Sequence, residues 1–310
     1  IEIEVTDGLG NVMSRPDGKP MKEKKHVYAL VLSTPSMLNF LKGLHESGKP
    51  FPIAVDGTYR LLENGWTVVS MSTHSVVYNE GKYTHQCLPI CFMVTHTECH
   101  ASYEYFFDVA FNLPNTHFGQ GIDHRDTLLI SHINQDRASY IRSAARVALG
   151  TAFIGLTCNV HIKRKFGDKS NKKLSKAINE EEVLSCIRCM CYAMGKKMFD
   201  MLAKFFLQYW SDVLKEEAWA KSFQNFYLKN SWDCWYTSAS QKPGIVPWNQ
   251  IVENYNYSQI KAILTKGQLR QPMGIFLNCC LPLILTTASV KVEEFLSQCI
   301  IALLAKEMGQ

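Results

Sequence analysis

The order of strand-like and helix-like runs in the first half of the chain limits its possible folds more than any other feature. Three runs rich in apolar and β-branched residues come first, joined by short turns, and they indicate an antiparallel meander. Two further strand-like runs follow, each preceded by a run of apolar residues at helical spacing. Strands that return through crossover helices extend such a meander in parallel. The predicted strands are 51–59, 66–77, 85–95, 127–134 and 153–160, and the predicted helices are 98–111 and 137–149.

The rest of the chain adds helices to this α/β pattern, without strand alternation. A Pro-Gly pair at Pro243-Gly244 favours a turn and separates two helical stretches. We found no internal repeat. The predicted organisation is a flexible lead-in at 1–25, a mixed five-stranded sheet with flanking helices at 26–170, an all-helical insertion at 171–240, and C-terminal helices that complete the core at 241–310.

Composition narrows the class of protein. The hydrophobic fraction is 46%, which is enough for a substantial buried core, and the net charge of +5 permits a polyanionic partner without requiring one. The chain opens on a polar, turn-rich stretch, and its 11 cysteines lack the spacing of a disulfide scaffold, so we expect reduced thiols in an intracellular protein. The apolar run at 274–290 is interrupted by Asn278 and Pro282 and is shorter than the roughly 20 residues of a spanning helix. It predicts buried core and no membrane contact.

Three acidic residues lie at or near the ends of predicted strands and helices, and they are the candidate metal ligands. Asp56 ends an apolar strand run, Asp136 lies between a predicted strand and a predicted helix, and Glu253 lies early in a later helix. Each has an ordinary local alternative. Asp56 precedes Gly57 as in a turn, Asp136 fits a helix N-cap, and Glu253 fits an exposed helix surface.

The sequence resembles the transposase domain of Mutator-like elements (MULE) over roughly residues 26–265. Its element order is also that of the RNase H-like fold. The resemblance is carried by the four motifs Asp56-Gly57-Thr58-Tyr59, the stretch LPICFMVTHTECHASYEYFF, Asp136-Arg137-Ala138 followed by Cys158-Asn159-Val160-His161, and Asn249, Glu253 and Asn256 in an Asn-x-x-x-Glu-x-x-Asn pattern.

The resemblance implies a DDE-type transposase core with an RNase H-like fold that is interrupted by a helical insertion. Asp56, Asp136 and Glu253 are then the catalytic and metal-binding residues for two Mg²⁺ or Mn²⁺ ions. Phosphodiester cleavage and strand transfer are served by two such ions, which prefer carboxylate oxygens. The implied partners are DNA, as transposon ends and target, and further copies of the chain bound to that DNA. The implied compartment is the nucleus.

Further residues are candidates for DNA contact. Cys158 and His161 match the CxxH of the family, although a structural pair is equally compatible, and two ligands cannot complete a tetrahedral zinc site. Phosphate contacts would suit the basic run 163–176, which an exposed connection explains as well. The DNA-binding candidates are Cys158, His161, Lys163, Arg164, Lys165, Asn249 and Asn256.

Two clusters in the second half of the chain have an ordinary and a functional interpretation. Cys186, Cys189 and Cys191 form CxxCxC in a helical stretch, where buried thiols are the simpler interpretation and a metal site shared with Cys158 and His161 is the alternative. Core packing is favoured over base stacking for the aromatic residues of 232–236.

Two other functions remain as hypotheses. The strand before Asp136 reads SHINQD, and the residues ahead of Glu253 are Asn249-Gln250, which both depart from the family pattern. These departures motivate a domesticated, catalytically inactive DNA-binding regulator. An unrelated α/β enzyme is a third hypothesis, but the sequence contains no GxGxxG, GxxxxGK[ST] or GxSxG motif to support a nucleotide cofactor or a serine nucleophile.

Overall fold

The computed structural model describes most of the chain, and the fold is given for that part. The described residues are 2–4, 22–24, 27–79, 81–118, 130–136, 138–150, 152–162, 174, 179–229, 232–247, 250–261 and 270–307.

A six-stranded mixed sheet forms the centre of the molecule. Its strand order is β3-β6-β5-β4-β7-β8, in which β3, β6, β5 and β4 are antiparallel neighbours and β4, β7 and β8 are parallel. A separate antiparallel pair is formed by β1 (Glu2–Glu4) and β2 (Lys22–Lys24). The strands of the main sheet are β3 (Ala29–Leu32), β4 (Phe51–Thr58), β5 (Thr67–Asn79), β6 (Lys82–Thr95), β7 (Ile130–Gln135) and β8 (Ile154–Thr157).

Helices surround this sheet and form a separate unit at one edge. The α-helices of six or more residues are α1 (Pro35–Glu46), α2 (His100–Phe118), α3 (Ser139–Leu149), α4 (Glu180–Cys191), α5 (Lys196–Asp212), α6 (Glu217–Tyr227), α7 (Gln250–Tyr255) and α8 (Leu281–Glu307). Thr34 begins α1 by accepting a hydrogen bond from Met37 N, and Pro35 occupies the first turn, where a missing N–H costs nothing.

Alternation along the strands gives the sheet two apolar faces. Ala54 contributes to one core cluster, whereas Ile53 and Val55 contribute to the other. The first cluster packs against α7 and the C-terminal helix, and the second packs against α2 and α3. Both faces of the sheet are therefore covered, which is the usual arrangement where strands run parallel.

The helices α4, α5 and α6 enclose a third core that is built around aromatic rings. Trp210, Phe223 and Trp235 lie in it, with Leu156 of β8 at its border. The 3₁₀ turn Thr237–Ser240 follows these helices and contacts β8. Just before this turn, Cys234 O accepts a hydrogen bond from Thr157 N of β8. This unit is the helical stretch that the sequence predicted.

The structure corrects three sequence predictions. The sheet has six strands and not five, because the apolar segment Ala29–Leu32 pairs with β6 as an edge strand. The last strand ends at Thr157 and not at residue 160, and residues 159–162 form one helical turn. The helix formed by the apolar C-terminal run also extends beyond the predicted run 274–290.

That run is helical through both predicted interruptions. A π-helical segment at Phe276–Cys280 leads into α8, so the backbone changes its hydrogen-bond spacing just before Pro282, which cannot donate. By length and composition the stretch Met273–Gln298 could cross a membrane, and 22% of its most apolar window is buried. Phe276, Ile284, Ala288 and Val292 pack into the first core cluster.

Candidate metal centre

The register of the three parallel strands places three candidate side chains in one row. Val55 of β4 is opposite Gln135 of β7, and Gln135 is opposite Thr157 of β8. The next residue along each strand is Asp56, Asp136 or Cys158. Neighbours across parallel strands point to the same face of a sheet, so these three side chains follow one another at the carboxyl ends of the strands. Ligand sites in α/β sheets commonly form at this edge.

Asp56 is held by the helix that packs on the same face. Its Oδ2 accepts a hydrogen bond of 2.8 Å from Asn256 Nδ2, and Asn256 Oδ1 accepts one of 2.8 Å from Ser70 Oγ. Burial, followed by the nearby charge of Asp136, raises the pKa of Asp56 from 3.8 to about 7. The Asn256 amide partly opposes this shift. The site thus contains a carboxylate whose charge is costly in the absence of a cation.

Glu253 and Asn256 project towards the strand ends from one side of the same helix. They are three residues apart, and residues at that spacing lie on one helix face. The helix changes from α to π at Asn256, and such π-helical turns are frequent at functional sites. Val252 and Tyr255 of the same helix are buried in the first core cluster and fix the helix on the sheet.

His161 lies between two of the three acids. Its Nδ1 is 2.7 Å from Asp136 Oδ1 and 3.3 Å from Glu253 Oε1. Burial would lower the pKa of His161, but the Asp136 carboxylate and the Cys158 thiol outweigh burial and raise it to about 10. The imidazolium therefore balances part of the negative charge of the site.

Four side chains form a compact group of metal-ligand types. One donor atom from each of Asp136, Cys158, His161 and Glu253 lies within 4.8 Å of all the others, and no other such group is found among the described residues. Asp56 is outside this four-atom group, although Asp136, Glu253 and His161 are close enough to affect its charge. The structure thus brings the three predicted acids into one neighbourhood and adds a thiol and an imidazole to two of them.

A cleft of about 170 Å³ is lined by the three side chains of the row and by four tyrosines, Tyr59, Tyr103, Tyr140 and Tyr227. Tyr103 Oη donates to Glu98 Oε1 at 2.6 Å, and Tyr59 also lines the cleft. A Cβ on Gly57 would be 3.0 Å from Glu98 Oε1 and 3.3 Å from Tyr59 Oη, so a larger residue here would require one of these side chains to shift by a few tenths of an ångström. The sequence analysis did not select Glu98 as a site residue, although it follows a buried strand directly.

The local alternatives for the three acids do not describe this structure. Asp56 is paired with Ser70 inside the sheet and is not in a turn. The N-cap position of α3 is Ala138, without a side-chain cap, so Asp136 does not cap that helix. The side chain of Glu253 is 13% exposed and faces the cluster, which is unlike a solvent-exposed helix residue.

The remaining candidates fall into three groups. Cys158, His161 and Asn256 belong to the site, whereas Lys163, Arg164, Lys165 and Asn249 lie outside the described residues. Cys186 and Cys191 are buried in the third core and take no part in the metal-ligand group. Trp232, Trp235 and Tyr236 are also buried, which agrees with core packing.

Comparison with known proteins does not assign this chain to a family. No protein-family model matches the sequence, and no curated protein is significantly similar to it. The interpretation of the site therefore depends on the residues and geometry described above.

Proposed function

We propose that the chain is the RNase H-like catalytic core of a MULE-type DNA transposase, which cuts and joins phosphodiester bonds at transposon ends. The observation that carries this proposal is the convergence of Asp56, Asp136 and Glu253, of which Asp56 and Glu253 are almost 200 positions apart in sequence. Asp56 and Asp136 follow adjacent parallel strands, and Glu253 comes from a helix on the same face. A helical unit lies between the second and third acids, as the family resemblance implies.

The strand order supports the RNase H-like part of the proposal. An antiparallel meander of β4, β5 and β6 is extended beside β4 by the parallel strands β7 and β8. The first acid is then on β4, the first strand of the meander, and the second directly follows its parallel neighbour β7. The additional strand β3 lies at the far edge of the sheet, away from these acids.

The residues present fit divalent metal ions. Three carboxylates lie close together, one with its pKa raised to about 7, and such a group is stabilised by a bound cation. Asp136 Oδ1 and His161 Nδ1 are buried, yet neither has a hydrogen bond of acceptable geometry despite their 2.7 Å separation. Asp56, Asp136 and Glu253 would hold the Mg²⁺ or Mn²⁺ ions, which would stabilise charge on phosphate oxygens and lower the pKa of an attacking water.

The other side chains of the site have positioning roles in this proposal. Asn256 orients Asp56 through one carboxylate oxygen, and Ser70 in turn orients Asn256. His161 balances the charges of Asp136 and Glu253 when no ion is bound. Tyr59, Tyr103 and Glu98 shape the cleft that leads to Asp56.

The proposed partners are DNA ends, target DNA and further copies of the chain, and the proposed compartment is the nucleus. The basic run that begins at Lys163 supports DNA binding because it follows His161 by only two positions in the sequence. Phosphates that contact this run would then lie near the acids.

A domesticated DNA-binding regulator without catalytic activity is the second candidate. The position of His161 favours it, because an imidazolium 2.7 Å and 3.3 Å from two of the acids occupies the place of a cation. Titration with Mg²⁺ and Mn²⁺ distinguishes the candidates. DNA binding without a divalent-ion site would support the regulator.

The direct test is a nuclease and strand-transfer assay on DNA with Mg²⁺ or Mn²⁺. Asp56→Asn and Glu253→Gln are expected to lower the rate by more than about 100-fold, since even outer-shell partners of metal ligands contribute roughly 10–100-fold. Asp212→Asn, at an exposed position at the end of α5, is the matched control and should keep the parental rate. Equal cleavage by Asp56→Asn and the parent would remove Asp56 from the mechanism.

A further inference from the structure

We infer that Asp136, Cys158, His161 and Glu253 form a four-ligand site for a single borderline transition-metal ion, of which Zn²⁺ is the type. This site shares two acids with the proposed nuclease centre, but it does not depend on any reaction with DNA. It differs from that centre in its donor set, which includes sulfur and nitrogen.

The donor types select the ion. Thiolate and imidazole are the ligands that Zn²⁺ takes most often in proteins, with carboxylates as common partners. Mg²⁺ instead requires oxygen ligands in octahedral geometry and has little affinity for sulfur. A group with one thiol, one imidazole and two carboxylates therefore matches a tetrahedral transition-metal site better than a magnesium site.

The backbone positions these donors from rigid elements. Asp136 and Cys158 follow adjacent parallel strands, and Cys158 N donates to Gln135 O at 3.1 Å. The helical turn at residues 159–162 brings His161 back over Cys158, and Asn159 N is anchored on Pro247 O at 3.1 Å. Because the Cys-x-x-His segment bends into this turn at the end of its strand, its thiol and imidazole reach one point.

The distances are close to those of a tetrahedral site. Ligand atoms at the usual zinc bond lengths lie roughly 3.5 Å from one another. The four donor atoms already lie within 4.8 Å of one another. His161 Nδ1 is 2.7 Å from Asp136 Oδ1 and 3.3 Å from Glu253 Oε1. Small side-chain movements would complete the geometry.

The contact between Asp136 and His161 is a second, independent indication. Their Oδ1 and Nδ1 atoms are buried and close, but the angles do not satisfy a hydrogen bond. Buried polar atoms normally have hydrogen-bond partners, and a bound ion is one explanation for an exception. A shared ion would bind both atoms once His161 Nδ1 gives up its proton, because metal ligands bind in their deprotonated forms.

Four protein ligands occupy all the coordination positions of a tetrahedral ion and leave none open for water or substrate. An ion bound here would therefore hold Asp136 and Glu253 in a closed site. Zn²⁺ and the hard ions of the proposed nuclease centre would exclude one another, because both require the same two carboxylates.

Cobalt spectroscopy tests the inference on the full chain without DNA. Titration of metal-free protein with Co²⁺ should give a sulfur-to-cobalt charge-transfer band and the intense visible bands of tetrahedral cobalt, and Zn²⁺ should remove both. Absence of the charge-transfer band in the parental protein would overturn the inference, and this result does not depend on how any variant folds.

Variants assign the ligands. Cys158→Ser should abolish the charge-transfer band, and His161→Gln should weaken Co²⁺ affinity by more than about 10-fold, on the scale of ligand-shell losses. Cys234→Ser, which removes another partly buried thiol, is the control and should retain the band. A band that persists in Cys158→Ser would overturn the ligand set.

Asp56→Asn separates this inference from the proposed function. That variant should lose DNA cleavage but keep the cobalt bands, because Asp56 is not among the four ligands. Cobalt bands in a parental protein that does not cleave DNA would support the metal site and contradict the transposase proposal. Cleavage of DNA by a parental protein without the bands would support the transposase proposal and contradict the metal site.

Discussion

Asp56 is a carboxylic acid in a place that disfavours its charge, and the cost should be measurable as stability. Its pKa is raised from 3.8 to about 7 by burial and by Asp136. Between these values the folded protein keeps a proton that the unfolded chain has released, so the stability of the fold decreases as the pH rises through that window. The effect disappears below the lower value, where both states are protonated.

We therefore predict that Asp56→Asn is more stable than the parent above about pH 7 when divalent ions are chelated. Each pKa unit corresponds to about 1.4 kcal/mol, and partial solvent access reduces the total, so we expect a gain of about 1–3 kcal/mol in the free energy of unfolding. Urea unfolding at several pH values measures it. The gain should vanish near pH 4, and Asp212→Asn should change stability by less than about 0.5 kcal/mol at any pH. A parent that is as stable as Asp56→Asn at pH 8 contradicts the prediction.

Only part of the site could be predicted at this scale. Asp56, Asp136 and Glu253 were selected through a family resemblance, whereas their immediate neighbours favoured a turn, a cap and an exposed helix surface. The register that aligns Asp56, Asp136 and Cys158 depends on pairing between distant strands, which no local pattern records. For the same reason, the contact of His161 with both acids was not foreseen.

Among the elements, β8 and α3 are joined by one buried arginine. Arg142 of α3 donates to Gly155 O and to Thr157 Oγ1 at 3.3 Å, and its guanidinium lies 4.1 Å from the ring centre of Trp232. A Cβ on Gly155 would approach Arg142 Nε to 2.8 Å. The Arg142 side chain therefore fits against β8 because residue 155 has no side chain.

We predict that Gly155→Ala destabilises the protein by about 1–3 kcal/mol, the usual cost of overfilling a packed site. Thermal or urea unfolding measures the loss. Gly43→Ala is the matched control, because Gly43 lies inside α1 with open space at its Cβ position. That change should be neutral or stabilise by up to about 1 kcal/mol, since alanine is the better helix former. Similar stability of the two variants would argue against a constraint at Gly155.

The elements were predictable where the pattern was long and local. The strands and helices from residue 51 to 157 overlap their predicted positions, because apolar alternation and helical spacing are visible in short windows, although α2 continues to Phe118 and not only to residue 111. The strand β3 was missed, since its four residues gain their strand character from pairing with β6 across the chain. The first two residues of the turn at 159–162 were predicted as strand, because the backbone of this turn is fixed by Pro247, which is far away in sequence.

At the scale of the whole molecule, the C-terminal helix α8 covers one side of the first core cluster. It is apolar on many sides, yet Ile284 is 2% exposed in the core whereas its neighbour Leu283 is 44% exposed. Thr34 Oγ1 and Ser289 Oγ are 2.7 Å apart, and Phe40 meets Phe295 edge to face at 6.0 Å, so the helix is also tied to α1. The sequence predicted core packing for this run but not its length.

We predict that Ile284→Ala lowers the free energy of unfolding by about 2–5 kcal/mol, as is usual for a large aliphatic residue in a core. The adjacent change Leu283→Ala should cost less than about 1 kcal/mol, because its side chain is largely outside the core. Denaturant unfolding of both variants provides the comparison. Equal effects would mean that this helix does not use one defined face to pack on the sheet.

The row at the strand ends has a thermodynamic consequence for the protein as a whole. Its members follow three different strands and meet Glu253 from a later helix, so a short fragment of the chain cannot bring these side chains together. An ion bound at the proposed site would recognise only the fully assembled sheet, and its binding free energy would add to the cooperative stability of the entire domain. Under this proposal, the concentration of free ion would affect the fraction of the chain that is folded.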